Sequence, residues 1–362
     1  GVPSPINIDG TGVVGAVNMA SLNMVGDICN RTIEFIDQVY IPDLLAIASF
    51  YKDWASIGGG LSSKYLMSYG DFPKSANDYS PGNMMMPAGV IIDGNLNEVL
   101  PVDLMKEDEV QEFVTHSWYK YADEAAGLHP LKGETVPNFD IGGAKGTRTK
   151  IEAVDESSKY SWVKAPRWKG HAMEVGPLAR FVIGYVQGQE DIKALVDPVL
   201  AKLGVPVTAL FSTLCRTAAR GLECSWAAHA LKAEFGKLVA NIKAGDVATA
   251  NMANFEPSTW KKSAQGYGFV EAPRGALCHW IDIEDKKIKN YQCVVPTTWN
   301  ASPRDPAGKI GAYEAALLDT PMHDPNQPLE ILRTIHSFDP CLACATHVLD
   351  MEGNEVTSVK VR

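Results

Sequence analysis

Two cysteines three positions apart, Cys341 and Cys344, stand in the run Asp339-Pro340-Cys341-Leu342-Ala343-Cys344-Ala345-Thr346-His347. Thiolates are soft, strong ligands for late transition metals, and a two-residue gap lets both sulfurs reach one ion. His347 lies three residues past Cys344 and adds an imidazole to the same cluster. Structural zinc takes four ligands, and no second C-x-x-C occurs in the chain. By spacing alone the pair reads as half of a metal site, as a redox dithiol, or as a motif without special role. A thioredoxin-like pair belongs in a βαβ setting, which the pattern here does not offer.

Glu271-Ala272-Pro273-Arg274-Gly275 is the second unusual run. Pro and Gly on either side of one Arg imply a tight, rigid backbone that presents a guanidinium at a fixed place. Five donors and a permanent charge suit it to stabilising an anionic ligand. The plain alternative is a surface Arg in a turn. Val294-Val295-Pro296-Thr297-Thr298-Trp299-Asn300 is the third, where the Thr297 hydroxyl either donates into a pocket or only closes a turn. Of the eight histidines, only His347 sits in a ligand-like cluster, and His116, His279, His323 and His336 read as structural or surface residues.

The elements that must position these groups follow from periodicity. Apolar residues recur at helical spacing over 19–50, with a break or kink near Pro42. Residues 108–126 read as a short helix with Val110, Phe113, Val114 and Trp118 on one face. Helices are expected over 173–187, 191–203 and 207–244. In the last of these, Leu231, Phe235, Leu238 and Ile242 form a stripe that reads as core packing and ends at Gly245, a C-cap signal. Residues 276–283 and 288–295 around a charged turn predict a β-hairpin. Helices near 309–318 and over 328–338 precede the cysteine pair, and the tail alternates at Val356, Val359 and Val361 as a strand does. The fold class is therefore mainly α: a multi-helix core with small β-hairpin elements and long irregular surface loops.

Composition bounds what such a protein can do. The 362 residues are 46% hydrophobic and 21% charged, as in ordinary globular chains. A formal charge of −10, without clustered Lys or Arg, excludes a nucleic-acid binder. No apolar run approaches the roughly 20 residues a membrane-spanning helix needs, and no signal peptide is present. Seven scattered cysteines do not make a disulfide framework; Cys29, Cys215, Cys224, Cys278 and Cys293 read as buried free thiols. The chain opens on Gly1, and its first ten residues read like the middle of a protein, so a fragment or processed piece is expected.

Taken together, D-P-C-x-x-C-x-x-H, E-A-P-R-G and V-V-P-T-T-W-N resemble the large subunit of nickel–iron hydrogenases. Tyr160-Ser161-Trp162, Lys164-Ala165-Pro166-Arg167, Met173-Glu174-Val175-Gly176-Pro177-Leu178-Ala179-Arg180 and Arg333-Thr334-Ile335-His336-Ser337-Phe338 carry the resemblance over essentially the whole chain. It is nearest to the membrane-associated, respiratory uptake branch. The resemblance implies that Cys341 is a terminal nickel ligand and the first base for the proton, and that Cys344 bridges nickel and iron. It implies that Arg274 lies over the iron's carbonyl and cyanide ligands, held by Asp339. Thr297 would hydrogen-bond a cyanide, with Pro273, Val295 and Pro296 walling the diatomic ligands. His347 and the backbone carbonyl of Cys293 would bind magnesium.

The implied chemistry is heterolytic oxidation of dihydrogen. Electrons would pass to iron–sulfur clusters that only a partner small subunit holds, and on to a membrane cytochrome b type subunit. Localisation would be the periplasmic face of the membrane, by export together with the small subunit. Two departures from the family pattern stand out. The upstream R-x-C-G-x-C motif with the other two metal cysteines is missing, so residues 1–347 are expected to be the C-terminal portion of the large-subunit domain, inactive alone. The family's maturation endopeptidase would cut between His347 and Val348 after nickel-insertion factors have acted. Residues 348–362 would then be the extension of an unprocessed precursor. The alternatives are a catalytically inactive apo precursor or a structural metal-binding subunit.

Overall fold

In a computed structural model of the chain, residues 18–75, 78–142, 150–154, 158–204, 210–246, 255–341, 345–349 and 355–360 are described, with backbone alone over 139–142, 150–154, 345–349 and 355–360. Asn18 opens the first helix with a reciprocal cap: its side chain accepts the Ser21 N–H at 3.0 Å, and its own N–H donates to Ser21 Oγ at 2.9 Å. Helix α1 (Met19–Phe35) runs into a π-turn (Ile36–Tyr40) and then α2 (Ile41–Phe50). The break expected near Pro42 is this widened turn. Proline supplies no N–H and crowds the carbonyl four residues back, and the Ile41 N–H bonds Ile36 O instead.

A first hairpin pairs β1 (Leu66–Pro73) with β2 (Met84–Ile91). The middle of the chain holds β3 (Val110–Phe113), β4 (Tyr119–Lys120), β5 (Val136–Pro137), β6 (Phe139–Gly142), β7 (Lys150–Val154) and β8 (Ala165–Trp168). Helices α3 (Pro177–Val186), α4 (Glu190–Leu203) and α5 (Thr213–Lys243) follow. Then come β9 (Ala264–Ala272), β10 (Gly275–Glu284) and β11 (Lys287–Val294), a sheet in the order β11-β10-β9. The short helices α6 (Pro296–Asn300), α7 (Ala312–Leu317) and α8 (Leu329–His336) lead to a last hairpin of β12 (Ala345–Leu349) and β13 (Glu355–Lys360).

One core lies between the sheets: Met67, Tyr69, Val90, Trp168, Met173, Cys278, Trp280, Val294 and Trp299 pack together, all buried. A second joins α2, α3, α4 and α5 through Leu45, Phe181, Ile192, Val196, Leu222 and Trp226. Burying a large apolar side chain contributes about 1.5–3 kcal/mol, so these clusters anchor the turns that carry the chemistry. Among the described residues, no helix is long and apolar enough to cross a membrane.

The expectation of a mainly α protein is corrected: helix makes up 43% and strand 21% of the structure, an α and β mixture. Much of the difference lies in antiparallel pairs such as β1–β2, β3–β8 and β9–β10. Residues 108–126 are the clearest case, forming β3, β4 and turns rather than a helix. Val110, Glu112 and Val114 point inward at period two, and buried Glu112 pairs with Lys164 at 3.5 Å beside β8. A polar residue in the inward register erased the strand signal. The stripe on α5 is also corrected: Leu231 and Leu238 are 58% and 51% exposed. The hairpin around residues 284–287 does form, with Asp285 and Lys286 in the left-handed region at φ 51° and 62°, as a tight two-residue turn requires.

Candidate metal centre

Three segments far apart in sequence converge on one place. The first is the two-residue turn between β9 and β10, where Ala272 pairs with Gly275 and Pro273-Arg274 form the tip. Gly275 (φ 133°) lies against the entry to α3 so closely that a Cβ there would stand 2.6 Å from Val175 Cγ2 and 2.7 Å from the Gly176 nitrogen. Gly176 (φ 130°) leaves the matching space on the other side, with Arg274 O at 3.1 Å from its missing Cβ. The Gly275 backbone therefore lies directly against the Val175–Gly176 backbone, an approach that a Cβ at either glycine would obstruct.

The second segment is the start of α6. Val295 caps it, Pro296 occupies the first turn where a missing N–H costs nothing, and buried Thr297 follows. Asn300 locks α6 onto the strand leading to Gly176: its Oδ1 accepts the Val175 N–H at 3.0 Å, and its Nδ2 donates to Val175 O at 2.9 Å. The Arg274 turn and the Thr297 helix thus share one support.

The third segment follows α8. Ser337 Oγ donates to Thr334 O at 2.6 Å as the helix ends, and Pro340 prevents its continuation. Phe338 is buried beneath the Arg216 guanidinium, 4.0 Å from its ring centroid, and Arg216 is fixed by a two-pronged pair with Glu174 at 2.7 and 2.9 Å. Asp339 then takes φ 55°, a left-handed conformation that a short polar residue tolerates better than most. This turns its carboxylate toward Arg274 Nη2 at 3.3 Å. One residue past Pro340, the Cys341 N–H donates to Thr297 Oγ1 at 3.2 Å.

Arg274, Asp339, Thr297 and Cys341 are therefore brought together. Cys341 is exposed. Because the Thr297 oxygen already accepts from Cys341, its own O–H proton is left to donate elsewhere. Arg274 Nε has no hydrogen-bond partner among the described residues. A cysteine sulfur, a hydroxyl proton left to donate and an incompletely paired guanidinium fit a soft metal that carries anionic ligands. Pro273 is exposed at the turn tip, Val295 half-buried and Pro296 buried.

Other expected residues stand apart or lie beyond the description. Cys344 falls outside the described residues. His347 and Val348 lie in β12, their Cα atoms paired with Ser358 and Thr357, and their side chains are likewise outside the description. Cys293 is on β11 opposite His279 and is exposed, and so is Cys224, against the expectation that both are buried thiols. Cys29, Cys215 and Cys278 are buried, and burial pushes the Cys215 and Cys278 thiols up, away from reactivity.

Sequence reasoning assigned no part to the charges beneath the Arg274 turn. Arg180 of α3 is buried and paired with Glu223 of α5 and Glu271 of β9. Burial alone would lower Arg180, but the two carboxylates outweigh it and hold its pKa up, so the guanidinium stays charged. Arg180 was visible only as the last residue of a helix-entry motif, and nothing in its spacing points to Glu223 or Glu271.

Comparison with known proteins then places the chain. The family described as nickel-dependent hydrogenase matches residues 1–347. The uptake hydrogenase large subunit of Rhizobium leguminosarum bv. viciae is 62% identical over 363 residues, covering 100% of this chain and 61% of that protein. The hydrogenase-1 large chain of Escherichia coli (strain K12) is 54% identical over 362 residues, with the same coverage of 100% and 61%. Among solved structures, the Ni-Fe-Se hydrogenase of D. vulgaris Hildenborough in the reduced state matches with a TM-score of 0.67 and 31% identity, over 90% of this chain and 61% of that one. The chain spans 61% of the length of these curated relatives.

Proposed function

Because the chain belongs to the nickel-dependent hydrogenase family, we propose that it is the C-terminal portion of the catalytic large subunit of a nickel–iron uptake hydrogenase, which oxidises dihydrogen. The observation that carries this reading is the convergence of Cys341, Thr297, Arg274 and Asp339 from three separate segments. A scaffold protein has no use for that set together.

When bound, a nickel–iron pair supplies the polarisation of dihydrogen and takes its electrons. The residues do the rest. Cys341, with Cys344, would hold the metals, and its Sγ would take a proton. Arg274 would place a fixed positive charge over the reacting position, where it favours developing negative charge. Asp339 orients that guanidinium. The Thr297 O–H would donate toward an anionic cyanide on iron, and Pro273, Val295 and Pro296 would shape the walls around the diatomic ligands. His347 and the Cys293 carbonyl would hold magnesium.

The partners are a small subunit with the iron–sulfur clusters that drain the electrons, a membrane cytochrome b type subunit beyond it, and maturation factors including an endopeptidase. A membrane-associated, periplasmic location is part of this reading. The end of the family match at residue 347 supports residues 348–362 as a processed extension. Metal analysis of the full-length subunit, co-expressed with its small subunit, should find nickel and iron, with infrared bands from carbonyl and cyanide. Zinc alone would overturn the reading.

A further inference from the structure

We propose that Arg180 is a positioning residue that sets where the Arg274 guanidinium stands. For the reaction, the inference rests on the hydrogenase reading above; for the geometry, it does not. Arg180 is 1% exposed. Its Nη1 donates to Glu271 Oε2 at 2.7 Å and to Ala272 O at 3.0 Å. Its Nη2 donates to both Glu223 oxygens at 2.6 and 2.7 Å and to Pro273 O at 3.0 Å. One buried fork thus grips the two consecutive carbonyls immediately before Arg274. Its charge is neutralised by one carboxylate on β9 and one on α5, so the grip needs no solvent.

The support continues from Arg180 as a line of alternating charge that ends at Arg274. Arg220, one helical turn before Glu223 on α5, adds to the positive charge acting on Glu223, and the carboxylates of Glu223 and Asp339 favour its charged form. Arg220 donates to Ser337 O at 2.9 Å, two residues before Asp339. Asp339 in turn holds Arg274. Both partners of the Arg274–Asp339 pair are therefore placed from behind by arginines: the turn by Arg180 and the loop by Arg220. The pair itself is more than a third exposed on each side, 37% and 38%, so it does not hold its own geometry. The absent Cβ atoms of Gly176 and Gly275 let the turn settle onto α3, within reach of Arg180.

Lysine at 180 keeps the charge but is a single point donor that cannot span two carboxylates and two carbonyls. The test uses the full-length, metal-loaded heterodimer carrying R180K, with E223Q as the milder variant that keeps the side-chain shape. In R180K, kcat per bound nickel falls by about 10- to 100-fold, the scale of a misplaced catalytic group. The carbonyl and cyanide infrared bands move, and a crystal structure shows Arg274 displaced from Asp339. E223Q shifts the same readouts in the same direction by less. Activity lost only in proportion to nickel, with bands and Arg274 unmoved, would make Arg180 merely structural and overturn the proposal. If R180K does not assemble, unchanged bands and kcat in E223Q overturn it equally. If the wild-type protein holds no nickel, the functional reading fails, yet the Arg274–Asp339 separation in variant and wild-type crystals still decides the positioning claim.

Discussion

Thr297 receives the backbone N–H of Cys341 on its hydroxyl oxygen at 3.2 Å, although 44 residues separate them. This single bond fixes where the first thiol of the C-x-x-C motif begins, and it orients the hydroxyl proton away from Cys341. The start of α6 and the loop after α8 are thereby one unit.

Replacing Thr297 by Val keeps the shape and removes the acceptor, leaving the Cys341 N–H without it. We expect a loss of about 1–3 kcal/mol in stability and a drop in turnover per bound nickel. T297S should restore most of both. Thermal unfolding and hydrogen uptake on the metal-loaded heterodimer read the two effects, and a T297V protein equal to wild type in both would refute the assignment.

Arg274 and Asp339 form an ion pair exposed by more than a third, worth about 0–1 kcal/mol to folding. D339N and R274K should therefore leave the melting temperature nearly unchanged. Turnover should nevertheless fall by about 100-fold, the cost of losing one preorganised charge or donor. Equal nickel content with equal turnover would rule this out.

Gly275 has no room for a Cβ and holds φ 133°. G275A should destabilise the protein by about 1–3 kcal/mol or push the turn off α3. Denaturant unfolding of the full-length subunit measures the first outcome. A midpoint unchanged from wild type would show that the turn does not rest on Gly176.

His129 is a buried imidazole whose burial lowers its pKa below the ordinary 6.5. The Leu131 N–H donates to its Nδ1 at 3.3 Å, so the ring proton sits on Nε2 and donates to Leu104 O at 3.0 Å. Because the folded state favours the neutral ring, its contribution is complete above the ordinary pKa and lost as pH falls through the lowered folded value. Unfolding midpoints at about pH 7.5 and about pH 5.5 should differ more in wild type than in H129Q, bracketing the ordinary imidazole range. An identical pH dependence in the two proteins would exclude His129 as the source.

What the sequence determined by itself is local chemistry and local stiffness. The spacing of Cys341 and Cys344, the Pro-Arg-Gly turn at 273–275, the Pro-Thr start of α6 and the break before Pro42 are all legible because each depends on residues within a few positions. Tertiary structure decided the rest. Residues 108–126 carry a helix-like apolar spacing, yet they form a strand because Lys164 beside β8 lets Glu112 be buried. The α5 stripe is apolar at helical period, but burial is a property of neighbours, and Leu231 and Leu238 face outward in this chain. Arg180 could not be singled out from its motif, since its partners Glu223 and Glu271 lie 43 and 91 residues away. A sequence states which groups are present; only the fold brings a buried fork beneath two carbonyls and so decides where Arg274 points.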